Sequence, residues 1–339
     1  MSIFDTAPPS IDKDKLYFFL ENNYDFFKNK ISSSKKLNSE RDCNLKIFTK
    51  DKKKFVVKIS NSSENIKILK LQDSILKHLS HQPIRENVPQ IMHKKINTIN
   101  DIKNEKCYIR VLSFLEGDMF AVRQNNDELC LNLAIFLGNL SLSLKKFKNI
   151  SAKRKFIWDS SNISWIKQKV NLFEDKRKFK VLNSVLNSYE KNIKNIKNNL
   201  RYSVIHGDSN NYNIVVKKNK VVGLLDYGDV IYAPTICELS VALAYSLMNC
   251  DNIIERSLMM IRAYNNVFPL KKNEIKSIST LIASRLLITV TMAMTQKLKY
   301  PKNKYLTISE NDAWRLLYRL SKISLDNMTN ILLDNHYER

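Results

Sequence analysis

Three of the five glycines in this chain, Gly207, Gly223 and Gly228, lie in two short stretches that only four residues separate. The first reads VIHGDSNNYNIVV, over residues 204–216, and the second reads VVGLLDYGD, over residues 221–229. Glycine is scarce elsewhere in the 339 residues, and it is the residue that permits a positive φ or a close approach of the backbone to a ligand or a second strand. We therefore expect the backbone of these stretches to need glycine; ordinary turn glycines are the simpler alternative.

The two stretches together predict a β-hairpin. Runs of β-branched residues flank the polar tip KKNK, residues 217–220, a pattern typical of two strands joined by a turn. Asn213 and Asp226 are equally distant from a turn centred between Asn219 and Lys220, so we expect them nearly opposite each other, with Cβ atoms about 4.5–5.5 Å apart. An amide oxygen and a carboxylate at that separation can share one Mg²⁺ ion, which prefers oxygen ligands.

Asp208 is expected at the same end of this hairpin. It follows the short apolar piece YSVI and precedes Asn213 by five residues, on a turn that Gly207 would permit. A carboxylate that is near a metal without being needed as its ligand is well placed to accept the proton of an attacking hydroxyl. The structural alternative is that Asp208 caps a turn and that Asp226 ends a strand.

The order of the secondary structure predicts an α+β protein with two parts. After an opening helix, alternation in CNLKIFTKDKKKFVVKIS (residues 43–60) predicts a hairpin, ENIKILKLQDSILKHLSHQ (64–82) has helical spacing, and KCYIRVLSFLEG (106–117) returns to a strand. From about Asp127 onward helical patterns dominate, and the hairpin above is the one strong β signal there. We expect a small β-rich N-terminal lobe over residues 1–115 and a larger, mainly helical C-terminal lobe over residues 116–339.

The net charge of +23, from 56 Lys and Arg against 33 Asp and Glu, on its own favours a nucleic-acid or acidic-membrane partner. The lysines are scattered, however, and no basic stripe is interleaved with aromatic residues, so we expect no nucleic-acid partner.

Five widely spaced cysteines without CxxC pairs indicate free thiols. The acidic N-terminus is unlike a signal peptide, and the apolar run LLITVTMAMTQ is about half a membrane span. We expect a cytoplasmic protein without a membrane segment; its oligomeric state stays open.

The wording HGDSNNYN followed by LLDYGD resembles the phosphotransferase family of aminoglycoside and choline/ethanolamine kinases, whose pattern is H-G-D-x-x-x-x-N and then an apolar-apolar-Asp. Within this family it is most similar to the hydroxylysine kinase branch and to the kinase-like domains fused to certain aminotransferases. Further short matches follow in order along the chain, among them LNSERDCNLKI, FVVKIS, RVLSFLEG, FIWD, LSVALAYS and PKNKYLTISENDAWRLL. The resemblance implies a two-lobed protein-kinase-like fold and transfer of the γ-phosphoryl group of ATP or GTP to a hydroxyl.

Carried over position by position, the resemblance implies that Asp208 is the catalytic base and that Asn213 and Asp226 hold Mg²⁺. It implies that Lys58 contacts the nucleotide phosphates, whereas an outward lysine on a strand edge is the structural alternative. It also implies that the turn over those phosphates consists of Ser39, Glu40 and Arg41.

One departure from the kinase pattern concerns the partner of Lys58. The fold usually has an acidic residue on the following helix that pairs with this lysine, but the corresponding stretch reads ILKLQDSI, with Lys70 near the expected place. The residues that could take over this role are Glu64, Gln72 and Asp73. The departure keeps open a catalytically weak, nucleotide-binding regulatory module of the same fold. A protein kinase is not expected, because too few residues separate the metal-binding Asp from the next helix to form an activation segment.

Acids near the expected catalytic turn indicate a cationic acceptor. They are Asp159 after Trp158, Asp229 after Gly228, and Glu116 and Asp118 on either side of Gly117, in a strongly basic chain. We therefore expect a small alcohol that bears an ammonium group, such as a hydroxylated amino acid or an amino alcohol, and the resemblance points the same way. The structural alternative is that these acids balance neighbouring Lys and Arg and that Trp158 and Asp159 serve packing and capping.

Overall fold

The structure is a computed structural model that describes residue 6 and residues 8–39, 41–123, 126–299 and 309–337. The chain divides into two compact units. The first unit ends at His81 and resumes over Arg85–Glu116; the second comprises Gln82–Ile84 and the chain from Gly117 onward. The expected lobe boundary between residues 115 and 116 lies one residue before this division.

The first unit is built on an antiparallel sheet of five strands in the order β1-β2-β3-β5-β4. Its strands are β1 (Ile31–Leu37), β2 (Cys43–Thr49), β3 (Lys54–Ser60), β4 (Asn97–Asn100) and β5 (Lys106–Ser113), and its helices are α1 (Lys13–Asn23) and α2 (Ile66–Leu79). The predicted hairpin is β2–β3, the predicted helix is α2 and the predicted later strand is β5. The strands β1 and β4 were not predicted.

The apolar face of this sheet packs against α1. Alternate residues of β3, namely Phe55, Val57 and Ile59, are buried in one cluster with Leu16 and Leu20 of α1, because successive side chains of a strand point to opposite faces. Lys58 lies between two of these residues and therefore faces the other side of the sheet. It is directly opposite Arg110 on β5.

The second unit is mainly helical, as predicted. Its helices are α3 (Asp127–Leu144), α4 (Lys176–Tyr189), α5 (Ile236–Ser246), α6 (Ile253–Val267), α7 (Lys272–Lys299), α8 (Glu310–Ile323) and α9 (Leu325–Tyr337). A π-helical turn over Glu190–Lys194 extends α4, and a 3₁₀ segment covers Ser164–Leu172. Helix α7 is central to the packing, since it contacts α4, α5, α8 and α9.

Two helices, Asp127–Leu144 and the segment Lys272–Leu298 of α7, are long and apolar enough to cross a membrane by length and composition. In α7, 89% of the most apolar window is buried inside the protein, and in α3 the share is 56%. Packing against neighbouring helices accounts for the apolar sequence of α7, which contains the run LLITVTMAMTQ.

Five short strands position the loops of the second unit. Strands β6 (Asp118–Met119), β8 (Ile214–Lys217) and β9 (Lys220–Leu224) form one sheet, and β7 (Tyr202–Ile205) pairs with β10 (Ile231–Pro234). The predicted hairpin is β8–β9, in which Lys217 pairs with Lys220 and Ile214 pairs with Leu224. The ladder contains an irregularity between Val215 and Val216, which shifts the register by one residue.

Candidate active site

The loop that follows β7 carries Asp208 and depends on Gly207. Gly207 has a φ of +77°, and a Cβ atom there would lie 3.2 Å from the carbonyl oxygen of Asp229. A residue with a side chain would be strained at this φ and crowded by the Asp229 backbone. Of the three clustered glycines, Gly207 alone has a positive φ, so a left-handed backbone explains the glycine at this position and not at Gly223 or Gly228.

A buried carboxylate holds this loop in place. Glu238, in the first turn of α5 and 1% exposed, accepts hydrogen bonds from the backbone N–H groups of His206 (2.7 Å) and Gly207 (3.3 Å). Its other oxygen accepts from the hydroxyl of Ser209 at 2.9 Å. Three donors thus satisfy a carboxylate whose burial would otherwise be costly. The geometry of the loop is set by a residue about thirty positions further along the chain.

His206 connects the same loop to the end of β9. It is completely buried, its Nδ1 accepts from the backbone N–H of Asp208 at 3.2 Å, and its Nε2 lies 2.8 Å from the carbonyl oxygen of Leu225. Because Nδ1 accepts, Nε2 carries the proton and donates it to that carbonyl. Both ring nitrogens are used, as expected for a histidine that orients the loop.

The carboxylate of Asp208 is held from two sides. Its Oδ1 accepts from Nη2 of Arg285 at 2.5 Å, and its Oδ2 accepts from the side-chain amides of Asn213 (2.7 Å) and Asn210 (2.9 Å). The side chain is 17% exposed. Asp208 therefore has a fixed orientation and retains access to solvent.

Burial raises the pKa of Asp208 to about 6. Arg285 acts in the opposite direction, the carboxylate of Asp229 adds to the rise, and Asn210 and His206 lower the pKa further. Desolvation is the largest of these effects because it disfavours the charged form. A carboxyl group with this pKa is ionised near neutral pH and is a stronger base than an exposed aspartate, which suits a general base.

Asn213 lies against Asp208, as predicted, but the register of the hairpin differs from the prediction. The amide nitrogen of Asn213 donates both to the backbone oxygen of Asp208 (2.9 Å) and to its carboxylate, which leaves the amide oxygen for another ligand. The backbone oxygen of Asn213 accepts from the N–H of Leu225 at 2.8 Å, so Asn213 is opposite Leu225. The expected position opposite Asp226 was wrong by one residue: the turn is centred between Lys218 and Asn219, one residue earlier than expected, and the irregularity in the ladder compensates for half of the resulting shift.

Asp226 is exposed and begins a 3₁₀ turn over Tyr227–Asp229. Its φ of +57° is in the left-handed region, which side-chain-bearing residues rarely adopt and which Asp and Asn tolerate best. Asn213 directly precedes β8 and Asp226 comes shortly after β9, so both lie at the open end of the hairpin. Each supplies an oxygen of the kind that Mg²⁺ prefers.

Asp229 belongs to the same charge cluster as Asp208 and Arg285. The carboxylate of Asp229 is 8% exposed and lies close enough to raise the pKa of both Asp208 and Arg285. Arg154 holds the Asp229 loop by donating to the carbonyl oxygens of Gly228 (2.7 Å) and Val230 (3.2 Å).

The ring of Trp158 is stacked on the guanidinium of Arg285, with 4.6 Å between the Arg285 Cζ and the ring centroid. Asp159 is used locally instead: its Oδ1 accepts from the backbone N–H of Ser161 (2.9 Å) and from its hydroxyl (2.7 Å). Asp159 therefore caps a turn.

The sequence analysis did not identify Arg285 as a site residue. A lone charge in the apolar sequence of α7 was a detectable signal, because a buried charge needs a partner.

The candidate nucleotide residues lie in the first unit. Lys58 is 8% exposed, and the hydroxyl of Ser39 accepts from the backbone N–H of Asp42 at 3.1 Å. Arg41 directly precedes Asp42, and Glu40 lies outside the described residues.

Two of the candidate partners of Lys58 are engaged by Arg110. Asp73 accepts from Arg110 Nη1 at 3.2 Å and contacts His93 Nε2 at 2.8 Å, while Gln72 accepts from Arg110 Nη2 at 2.7 Å. Lys70 is exposed. The contact between α2 and the sheet is therefore made through Arg110, the residue opposite Lys58.

Residues 39–259 match the phosphotransferase enzyme family, APH. This match covers about two thirds of the chain, so the chain belongs to this family and is a phosphotransferase. The family predicted from HGDSNNYN and LLDYGD is confirmed.

Several known proteins resemble the chain over most of its length. Hydroxylysine kinase of Mus musculus is 24% identical over 320 residues, covering 86% of this chain and 85% of the relative. The Xenopus laevis protein of the same name is 24% identical over 340 residues, covering 92% and 90%.

Solved structures show the fold. A microcompartment-associated aminopropanol kinase has a TM-score of 0.72 at 11% identity over 94% of this chain and 99% of its own. An amicoumacin kinase solved with AMP-PNP and Ca²⁺ has a TM-score of 0.66 at 15% identity, covering 94% and 95%. The predicted kinase-like fold, with a β-rich N-terminal part and a mainly helical C-terminal part, is confirmed.

Proposed function

We propose that this small-molecule kinase transfers the γ-phosphoryl group of ATP or GTP to the hydroxyl of an amine-bearing alcohol, with Asp208 as the base. The observation that carries the proposal is the state of Asp208: a carboxylate with restricted orientation, partial exposure and a raised pKa, in contact with a candidate metal ligand. The alternative of a capping aspartate is disfavoured, because an N-cap carboxylate usually accepts from backbone N–H groups. Asp208 accepts from Arg285 and two side-chain amides instead.

In the proposed reaction, the acceptor hydroxyl attacks the γ-phosphorus while the Asp208 carboxylate takes its proton. A bond forms between the acceptor oxygen and phosphorus, and the bond between phosphorus and the β–γ bridging oxygen breaks, which releases the nucleoside diphosphate. The rate gain comes from holding the hydroxyl and the base together and from neutralising phosphate charge.

Mg²⁺ is the metal that the side chains fit, and it would neutralise the charge of the β- and γ-phosphates when bound. The Asn213 amide oxygen and the Asp226 carboxylate would hold it. Among the described residues, no group of three or more His, Cys, Asp or Glu side chains could hold a metal ion. This fits an ion that keeps several waters and binds through one or two protein oxygens together with substrate phosphates.

For the nucleotide, we assign phosphate contacts to Lys58 and the covering of the phosphates to Ser39, Glu40 and Arg41; the hydroxyl of Ser39 accepts from the backbone N–H of Asp42. Lys58 supplies a largely buried cation, and a phosphate contact with it is less screened than one with an exposed side chain. The choice between ATP and GTP is left to the assay below.

The acceptor is assigned from the four acids that the sequence grouped around the catalytic turn. Glu116 pairs with Lys54 and Asp118 pairs with Arg123, and Asp159 caps a turn, so charge balance and capping account for three of the four acids. Asp229 is the largely buried acid of the four, and it lies close enough to Asp208 and Arg285 to influence the charge of both. A carboxylate in this place favours an acceptor that carries an ammonium group, and the relatives named hydroxylysine kinase and aminopropanol kinase are in keeping with such an acceptor.

The test is a phosphorylation assay with purified protein, Mg²⁺ and either ATP or GTP, coupled to release of the nucleoside diphosphate. The panel contains hydroxylysine, homoserine, amino alcohols, choline, aminoglycosides and a neutral sugar. Turnover with an amine-bearing alcohol supports the proposal, and a neutral sugar as the best acceptor contradicts the assignment of Asp229. Nucleotide binding without turnover of any acceptor would indicate the regulatory module instead.

A further inference from the structure

Arg285 is a buried cation in the middle of α7, and the carboxylates of Asp208 and Asp229 and two aromatic residues offset its burial. Its side chain is 2% exposed, and its neighbours along the helix are the apolar residues of the run LLITVTMAM. Burying a guanidinium without a partner is strongly unfavourable. Burial of the Arg285 guanidinium is therefore unfavourable for folding, and its contacts indicate its role.

The guanidinium is held by contacts from three directions. Nη2 donates to Oδ1 of Asp208 at 2.5 Å and to the hydroxyl of Tyr245 at 3.3 Å, and Nη1 lies 3.5 Å from the carbonyl oxygen of Trp158. The rings of Trp158 and Tyr245 lie 4.6 Å and 5.5 Å from Cζ. Among the described residues, Nε has no hydrogen-bond partner. The planar group is thus stacked and hydrogen-bonded so that one nitrogen is aimed at Asp208.

These contacts determine how Asp208 is oriented. Arg285 binds Oδ1, while Asn210 and Asn213 bind Oδ2, so rotation of the carboxylate would break hydrogen bonds on both oxygens. Without Arg285, Oδ1 would have no donor among these contacts. The carboxylate could then change its orientation while Oδ2 keeps its hydrogen bonds to Asn210 and Asn213. A hydroxyl that must meet the base within hydrogen-bond distance depends on this orientation.

We propose that Arg285 is the positioning residue of the base: it acts on phosphoryl transfer through Asp208, and Trp158 and Tyr245 support it. The proposal rests on the proposed function of Asp208. Because the side chain of Arg285 is almost completely buried, it acts without touching the acceptor or the nucleotide. Trp158 supports Arg285 through the stacking of its ring on the guanidinium.

The experiment is a double-mutant cycle in kcat between position 285 and position 208, with the best acceptor of the panel. Arg285→Met is expected to lower kcat roughly 10–100-fold, because a misplacement of about 1 Å at reacting groups costs up to 10²-fold. The KM for the nucleotide should stay within about twofold, since binding of the nucleotide does not depend on the base. In the Asp208→Asn background, the same substitution should change kcat less than about twofold.

Two further variants separate positioning from folding. Arg285→Lys keeps the charge but cannot reproduce the planar fork, so its kcat should lie between those of the parent and Arg285→Met. Arg201→Met is the matched control, because it removes the ion pair between Arg201 and Glu274, and Glu274 lies in α7 as Arg285 does. This substitution should lower the melting temperature and leave kcat unchanged.

If Arg285→Met does not fold, Tyr245→Phe replaces it in the cycle, since it removes one hydrogen bond to Arg285 and keeps the ring. A severalfold loss of kcat that disappears in the Asp208→Asn background supports the proposal. An equal loss in both backgrounds, for either substitution, overturns it. Full turnover by Asp208→Asn itself would refute the proposed function instead, so the two failures are distinguishable.

Discussion

Replacing Glu238 tests whether a buried carboxylate holds the loop of Asp208. Glu238→Ala would leave three buried donors without an acceptor, namely the N–H groups of His206 and Gly207 and the hydroxyl of Ser209. Each unsatisfied donor costs about 1–3 kcal/mol. Because the hydroxyl can turn to another partner and the loop can relax, we expect the free energy of unfolding to fall by about 3–5 kcal/mol rather than by the full sum.

Glu238→Gln is the matched control for this prediction. The amide oxygen of Gln can keep the two backbone hydrogen bonds, and its nitrogen can donate to the Ser209 oxygen, while the Ser209 hydroxyl can donate to the backbone oxygen of residue 238, which it already approaches at 3.3 Å. We therefore expect Gln to cost only about 1–2 kcal/mol, the value of the lost charge-assisted bonds.

The measurements are urea denaturation for the free energy of unfolding and steady-state kinetics for kcat. Both substitutions should lower kcat, and Glu238→Ala should lower it more than Glu238→Gln, since the loop carries Asp208. A loss of less than about 1 kcal/mol for Ala, or equal losses for Ala and Gln, would refute the reasoning.

Three more substitutions examine the loop and the ligand sites. Gly207→Ala should cost roughly 1–2 kcal/mol of unfolding free energy, the price of a left-handed φ for a residue with a Cβ, and an unchanged denaturation midpoint would contradict it. Asp226→Asn keeps the tolerance of a positive φ and removes the charge, so calorimetry should show nucleotide binding with a weaker dependence on Mg²⁺; an unchanged dependence would remove Asp226 from the metal site. Asp229→Asn should raise the KM for an amine-bearing acceptor about 10-fold or more, as the loss of a charge-assisted hydrogen bond of about 1.5–3 kcal/mol implies, and equal changes for acceptor and nucleotide would count against the acceptor assignment.

Elements with a regular apolar pattern were predictable from the sequence, and those without one were not. The alternation of residues 43–60 predicted β2 and β3, and helical spacing predicted α2. Strand β1, in contrast, reads ISSSKKL and is half-exposed or exposed throughout, so its formation depends on pairing with β2 rather than on its own pattern.

The parts of the candidate site whose residues are close together in the sequence were predictable. Asp208 and Asn213 are close in sequence, and their contact followed from a turn at Gly207. The register of Asp226 was missed because the polar tip KKNK does not show which two of its residues form the turn, and the turn is centred one residue earlier than expected. Arg285 lies 77 residues from Asp208 along the chain, so no local pattern could indicate which acid it meets, although its presence in an apolar helix required a buried partner.

The most direct test of the central claim is the turnover of Asp208→Asn with the best acceptor of the panel. The account predicts a fall in kcat of roughly 10²–10⁴-fold, the usual contribution of a positioned general base, which corresponds to about 3–5 kcal/mol of barrier. Nucleotide affinity, measured by calorimetry in the presence of Mg²⁺, should remain near that of the parent. A variant that binds the nucleotide and turns over at the parental rate would contradict the assignment of Asp208 as the base.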